Sequence, residues 1–470
     1  MMSVREICRR MQAMERDLRL FEVDMHGVRI WPLVRMKVYY RIAQKIEVFS
    51  TPHSERIPLR NKLAAVWNVL RSPFTSPLHG RDTKKYLVFD HPRKVKVDGE
   101  FTDIYTRELL NQLPAGDTEV FENWYGGVHL TLAEPGRSRL DDLSVLAALA
   151  STVPVRFSKA DRQFIAAIET RIRTDFDIDE PLRRFFSKEI RHHRACLRYY
   201  TRLLVARRPE KIFLVVSYGH YKRALICAAK QLGIETVELQ HGTFSPYHLG
   251  YNFDGVTTAV PCFPDTFWTF GDYWTDLTPM PIPRERIITA GFAHFHGQKT
   301  RAAGIERIPG TILFISQGVI GKQLSAVVRA LAQQLPDHPV AVRLHPGEWN
   351  LWKTDYPDLV AASRLPNVTI HDRGDTDLYA QFAKSHHVVG VFSTAIYEGL
   401  AMGCTTFILD LPGAEYMDYL VERKMVFKVP DAAAIAAHIA QGHTPAAMNP
   451  DAVFALPDFD ALLRDPDCPG

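Results

Sequence analysis

The strongest constraint on this chain is the repeated alternation of short apolar runs with helical segments. KYLVFDHP (85–92), KIFLVVS (211–217) and TVELQHG (236–242) are short apolar stretches that end in polar residues. Runs of this kind, without in-and-out alternation, mark strands buried on both faces of a parallel sheet. The helical segment HYKRALICAAKQLG lies between the last two runs and closes at Gly233, giving a β-α-β unit. A second series starts near residue 310. It comprises TILFISQG (311–318), the helix GKQLSAVVRALAQQL, VAVRLHPGE (340–348), NVTIHD (367–372), HHVVGVFS (386–393), the helix TAIYEGLAMG, CTTFILD (404–410), YLVERKMVFKVP and an alanine-rich helix over 431–441. The pattern predicts an α/β fold of two Rossmann-like, doubly wound parallel-sheet domains facing a cleft, with an N-terminal helical extension.

The length supports that division, since 470 residues exceed one ordinary core. The expected units are a basic helical extension and linker (1–80), a first Rossmann-like domain with a helical insertion (81–290), a second such domain (291–445) and a proline-rich tail (446–470). Within the extension, residues 4–20 and 31–48 read as helices and RSPFTSPLHG (71–80) as a linker. Residues 155–208 read as helical and basic.

A net charge of +4, with 46% hydrophobic and 23% charged residues, describes a globular protein and argues against nucleic acid as a partner. The charge is unevenly spread: residues 1–85 hold 17 Lys/Arg and 8 Asp/Glu, a local +9, so the remainder sums to −5. The apolar stripe of the second helix (Trp31, Leu33, Val34, Val38, Tyr39, Ile42) either meets acidic lipid headgroups or packs on the body with its charges solvated. Six scattered cysteines without a C-x-x-C pair indicate neither disulfides nor zinc and fit a reducing cytosol. The N-terminus lacks a signal-peptide pattern, and no apolar run approaches the roughly 20 residues of a membrane span. The expected location is cytoplasmic, with peripheral attachment to the inner membrane.

Ligands of open parallel sheets bind beyond the carboxyl ends of the strands. In the first half that rule selects Asp90, His91, Ser217, His220, His241 and Gly242. In the second it selects Ser316, Gln317, Gly318, Arg343, His345, Glu348, Ser393 and Thr394. Ser393 and Thr394 open a helix, where hydroxyls and free N–H groups suit a phosphate, although Ser393 also suits a simple N-cap. Glu398, four residues after Thr394, shares its helix face and could accept from ribose hydroxyls. Arg343 and His345 in R-L-H-P-G-E could neutralise phosphate charge, and the SQG turn would complete the cradle. His241, at a strand end with Gly242 behind it, is a candidate general base, with Asp90 and His91 competing for the role. The D-x-D pairs Asp177/Asp179 and Asp375/Asp377 read as loop and cap residues rather than metal ligands. Neither G-x-G-x-x-G after a strand nor a P-loop motif is present, so no dinucleotide cofactor and no metal is expected.

FISQG, RLHPGE and FSTAIYEGLAMG resemble the donor lobe of GT-B glycosyltransferases of bacterial surface-polysaccharide (capsule and lipopolysaccharide) assembly. They are most similar to enzymes using CMP-activated sialic acid or Kdo, whose H-P motif and Ser/Thr pair contact the nucleotide phosphate, here His345-Pro346 and Ser393-Thr394. LQHG (239–242) resembles the H-G element of CDP-glycerol glycerophosphotransferases, in which the histidine is thought to act as base. The resemblance spans about residues 85–440; the D/E-D/E-G element of many sialyltransferases is not evident. It implies a metal-independent transferase with a nucleotide-sugar donor held by Ser316, Gln317, Gly318, Arg343, His345, Ser393, Thr394 and Glu398. The acceptor, a glycan or lipid-linked glycan, would lie beside His220, His248 and Tyr251. The alternatives are a polyol-phosphate transferase, a GT-B-like nucleotide-sugar epimerase and a non-catalytic binding protein.

Overall fold

The computed structural model describes residues 2–49, 58–131, 134–373 and 376–464. Numbered along the chain, the first strand is β1 (Tyr86–Phe89), followed by a small antiparallel hairpin of β2 (Val95–Val97) and β3 (Glu100–Thr102). Then come β4 (Thr118–Glu122), β5 (Arg137–Arg139), β6 (Lys211–Val215), β7 (Glu235–Leu239), β8 (Thr266–Thr269) and β9 (Ile287–Thr289). Together with β1 they form one parallel sheet in the order β5-β4-β1-β6-β7-β8-β9. The second sheet is built from β10 (Ile312–Ile315), β11 (Val340–Arg343), β12 (Val368–His371), β13 (His387–Gly390), β14 (Thr405–Leu409) and β15 (Phe427–Val429). Its order is β12-β11-β10-β13-β14-β15, again parallel throughout. Strand order reverses between β1 and β6 in one sheet and between β10 and β13 in the other. These are the switch points where a doubly wound sheet opens a ligand crevice. The expected fold class is therefore borne out: two Rossmann-like, doubly wound parallel-sheet lobes with an N-terminal helical extension.

Four strands of the first sheet escape a search for apolar runs, and their side chains explain why. In β4, Glu119 receives two hydrogen bonds from the Arg207 guanidinium at 2.5 and 3.3 Å, while Glu122 faces His129 at 2.7 Å. Paired charges replace the apolar run there. The strand β5 is three residues of arginine and serine, β8 sets two aromatic residues between threonines, and β9 is only the three residues Ile-Ile-Thr.

Residues 2–49 are built into the molecule. Helices Val4–Asp17 and Ile30–Lys45 bury Ile7, Met11, Met14, Trp31, Val34, Val38, Tyr39 and Ile42 in the main core. Of the two expectations for the second helix's apolar stripe, packing on the body is the one observed. At the centre lies an ion pair, Arg35 Nε to Glu15 Oε1 at 2.5 Å, with both side chains almost fully shielded. Trp31 Nε1 donates to the same carboxylate at 2.8 Å. Arg35 Nη1 donates to the carbonyls of Leu249, at 2.7 Å, and of Asn252. The segment also reaches the second lobe: the Val4 N–H donates to Glu415 at 3.1 Å, Arg5 to Asp418 at 2.6 Å, and the Tyr39 and Tyr416 hydroxyls lie 2.8 Å apart.

The tail returns to the first lobe. Trp274 Nε1 donates to the Val453 carbonyl at 2.8 Å, the Phe292 N–H to Ala455 at 3.0 Å, and Phe459 stacks on Trp268 at 5.8 Å between centroids. Gly271 and Gly291 allow this close approach, since a Cβ on either would sit 2.3–2.6 Å from tail backbone atoms. Among the described residues no helix is long and apolar enough to cross a membrane.

Removing one member of a buried ion pair strands the other charge. Glu15→Ala is therefore expected to cost about 3–5 kcal/mol of stability, read as a large fall in thermal midpoint. A variant within experimental error of the parent would show that the pair is not holding the segment.

Candidate functional site

The first crevice is organised by the polar end of β7. Glu238, the fourth residue of that strand, points its carboxylate across to β6. It accepts the Ser217 N–H at 2.9 Å and the Tyr251 hydroxyl at 2.6 Å, both on Oε1, leaving Oε2 without a partner. Burial pushes its pKa up to about 7. Gln240 then locks the turn, accepting the Phe270 N–H at 2.7 Å and donating to the Gly242 carbonyl at 2.9 Å. Between them His241 is presented to the cleft. Its Nε2 lies 3.2 Å from the Tyr218 hydroxyl and its Nδ1 3.4 Å from the Tyr251 hydroxyl.

Donor counting assigns the tautomer. Tyr251 spends its proton on Glu238, so toward His241 it can only accept, which places the ring proton on Nδ1. Nε2 then carries the free lone pair, facing Tyr218. Burial holds the imidazole neutral, with its pKa lowered to about 3. The Tyr218 turn is itself strained, because Val216 sits at φ 63°, a left-handed conformation rare for a β-branched residue.

His91 and Asp90 flank this cluster from the other side of the switch point. The His91 ring stacks 6.4 Å from that of His241, and Tyr105 stands edge-on to both, at 5.8 and 6.3 Å. Asp90 lies deeper, paired with Lys94 and, at 3.0 Å, with Arg137. Burial raises its pKa and lowers that of Lys222, whose ammonium donates to the Phe89 carbonyl at 2.9 Å. Of the two, His91 faces His241, and Asp90 is held in a buried charge network. His248 packs 4.9 Å from Tyr251 and 5.1 Å from Tyr218. His220 is directed elsewhere: its ring contacts are His192 at 4.4 Å and Tyr221 at 4.4 Å.

In the second lobe, several of the polar residues at the strand ends hold one another. The Ser316 hydroxyl donates to Glu348 Oε1 at 2.8 Å, and the other carboxylate oxygen of Glu348 accepts the His345 N–H at 2.8 Å. Gly318 packs on the same carboxylate chain, while Gln317 Oε1 is buried without a partner. Arg343 donates to the Thr376 carbonyl at 2.5 Å and to its hydroxyl at 2.8 Å. The exposed His345 ring accepts from the Gly347 N–H at 3.2 Å. Burial of part of the ring and the nearby Arg93 lower its pKa. Ser393 caps the helix Thr394–Ala401 through the Ala395 N–H at 3.2 Å. Glu398 is buried and accepts the Tyr379 hydroxyl at 2.8 Å, with a pKa raised by burial to about 7. Asp377 caps the helix Leu378–Lys384 as expected, and Asp375 lies outside the described residues.

The two lobes meet at the residues singled out from sequence. The Thr243 N–H, two residues past His241, donates to Thr394 Oγ1 at 3.2 Å. Gly242 lies so close that a Cβ there would touch the same oxygen at 3.4 Å. The imidazole loop thus rests on the start of the helix Thr394–Ala401. Tyr105 also senses the charges of Arg93 and Glu398, and His345 that of Arg93. Among the described residues, no group of three or more His, Cys, Asp or Glu side chains is placed to hold a metal ion.

Sequence reasoning missed Glu238, Tyr218, Tyr105 and Arg93. A signal existed for Glu238, since a carboxylate inside a strand buried on both faces needs a partner. Tyr105, Tyr218 and Arg93 sit in loops that only the fold brings to the cleft.

No family model and no curated protein matches the chain. Solved structures do resemble it. UDP-GlcNAc 2-epimerase from Neisseria meningitidis bound to UDP-GlcNAc superposes with a TM-score of 0.46 at 13% identity, covering 81% of this chain and 98% of its own. The spinosyn rhamnosyltransferase SpnG gives 0.44 at 16% identity, with 81% and 99% covered. The wall teichoic acid polymerase TagF gives 0.41 at 11% identity, with 81% and 87% covered. At this level of similarity the functional assignment rests on the residues of the site.

Glu238 supplies a test of that site. A carboxyl raised from 4.5 to about 7 makes the folded state bind the extra proton, so its contribution to stability is full below pH 4.5 and is lost as pH rises through 7. Glu238→Gln removes this dependence. The stability of the parent relative to Glu238→Gln should fall by roughly 3 kcal/mol at most between pH 4.5 and 8, measured by denaturant unfolding across pH. A pH-independent difference would mean that Glu238 is not buried as described.

Proposed function

We propose that this chain is a glycosyltransferase that moves a sugar from a nucleotide-activated donor, a CMP-sugar in the favoured form, to a growing bacterial capsule- or lipopolysaccharide-type glycan. The observation that carries the proposal is the Thr243–Thr394 contact, which sets a neutral, oriented imidazole beside a helix start suited to phosphate.

In this scheme the donor phosphate lies at the N–H groups and hydroxyls of Ser393 and Thr394, with Arg343 adding positive charge and the neutral His345 ring offering its Nε2–H. The acceptor hydroxyl displaces Tyr218 from Nε2 of His241. Its oxygen attacks the anomeric carbon, the carbon–oxygen bond to phosphate breaks, and the nucleotide departs with the electron pair. His241 takes the hydroxyl proton, and the resulting imidazolium is held by Tyr251 and through it by Glu238. Fixed dipoles and cations at the leaving group supply transition-state stabilisation without an assigned metal. Contact between the lobes, including the Tyr273 and Tyr397 hydroxyls at 3.3 Å, supports a cleft that closes against water.

A second reading has its own support. His241 borders the phosphate end of the cleft, which equally suits attack of the acceptor oxygen on phosphorus, as in a CDP-polyol phosphotransferase. CMP leaves in both cases; the acceptor gains a sugar in the first and a polyol phosphate in the second.

The decisive experiment incubates CMP-, CDP-, UDP- and GDP-activated donors with glycan acceptors and weighs the product. A mass gain of one sugar is expected; a gain of a polyol phosphate would select the second reading. Conversion of the donor, without acceptor, into an epimerised sugar nucleotide of the same mass would contradict both. His241→Ala should lower kcat by about 10²–10⁴ while leaving donor binding intact. His345→Ala and Ser393→Ala should instead weaken donor binding. Full turnover by His241→Ala would remove it as base.

A further inference from the structure

The helix Leu59–Arg71 is built the wrong way round for a surface helix: none of its residues is buried. It leans on the body through its polar edge, where Asn61 and Asn68 donate to the carbonyls of Gly126 and Gly127 at 3.3 and 3.5 Å. The opposite face is apolar and open. Leu59, Leu63, Trp67 and Leu70 are 58–73% exposed, and Phe74 beyond the helix is 84% exposed. An ordinary surface helix turns such a face inward.

The charge around this face is of one sign. From Pro58 to Gly80 the chain has no Asp or Glu, while Arg60, Lys62 and Arg71 are present, and the Arg71 guanidinium lies 5.9 Å from the Trp67 ring centre. The helix touches a second one, Asp141–Thr152, which adds exposed Leu146 and Leu149 and, just past its end, exposed Val153. Val153 in turn borders a cavity lined by Arg156, Arg191, Arg194 and His26, where Arg191 Nε has no partner. An apolar centre carrying tryptophan and bordered by arginine matches the boundary of an anionic bilayer, with apolar side chains among the acyl tails and guanidinium groups at the phosphates.

We propose that this face, centred on Leu63, Trp67, Leu70 and Phe74, docks the protein onto anionic phospholipid membranes. A second copy of the chain is a poorer occupant, because two cationic rims of this kind would repel each other. The proposal is independent of the donor chemistry, since it rests on residues outside the cleft and its test uses no sugar nucleotide.

The test is flotation of the purified full-length protein with phosphatidylcholine vesicles, with and without phosphatidylglycerol. The wild-type protein is expected to float with the phosphatidylglycerol vesicles and to be released by salt. Leu63→Glu/Trp67→Glu should reduce flotation by about tenfold or more, and Arg60→Glu/Lys62→Glu should abolish the preference for anionic lipid. The substituted side chains are exposed, so unchanged thermal midpoints should accompany the loss. As a second measurement, brominated acyl chains should quench wild-type tryptophan fluorescence and quench Trp67→Phe far less. Failure of the wild type to float, flotation of Leu63→Glu/Trp67→Glu equal to wild type, or a concentration-dependent dimer dissolved by that variant would each overturn the proposal.

Discussion

Arg35 sits at the centre of the molecule and holds the site together from behind. It pairs with Glu15 inside the core and donates to the carbonyls of Leu249 and Asn252, in the loop that follows His241. Phe21 and Phe253 lie against its guanidinium at 5.3 and 5.0 Å. That loop carries His248 and Tyr251, and Tyr251 links His241 to Glu238. An ion pair in a low-dielectric interior gains little net stability over apolar packing, yet losing one partner is costly. Its effect here is geometric: the loop that orients the imidazole is fixed to helices whose other end reaches the second lobe through Glu415, Tyr416 and Asp418.

The same logic explains why the cleft is rich in buried titratable groups. Glu238 and Glu398 both carry pKa values raised by burial to about 7, and His241 is lowered to about 3. Each shift follows chiefly from desolvation, with no strong opposite charge to offset it. A group in that condition is responsive to whatever charge enters, so an anionic donor would favour the protonated imidazole and oppose further ionisation of the acids. The lobes thus present a neutral histidine on one side and the Ser393-capped start of the helix Thr394–Ala401 on the other.

Much of this was legible in the chain. The runs around Tyr86–Phe89, Lys211–Val215 and Ile312–Ile315 announce strands buried on both faces, and the rule that ligands gather beyond strand ends leads to His241, His91, Ser393 and Thr394. Where charges are paired inside a sheet, as Glu119 is with Arg207, apolar patterning fails and the strand is overlooked. His220 shows the opposite error: it follows a strand end as the rule requires, but the helix it opens turns its ring toward His192. Burial of the basic N-terminal helices depends on Glu15 and the aromatic residues around Arg35 meeting across a long stretch of chain, which no local pattern encodes.

The central claim is that one anion site, at Ser393 and Thr394, faces one base, His241, across a closed cleft. A crystal structure with a nucleoside monophosphate or diphosphate bound tests it most directly. The account predicts phosphate oxygens within hydrogen-bond distance of the N–H groups and hydroxyls of Ser393 and Thr394, with the imidazole of His241 bordering the same space. A nucleotide seated away from that helix start, or phosphate screened from His241 by protein, would contradict it.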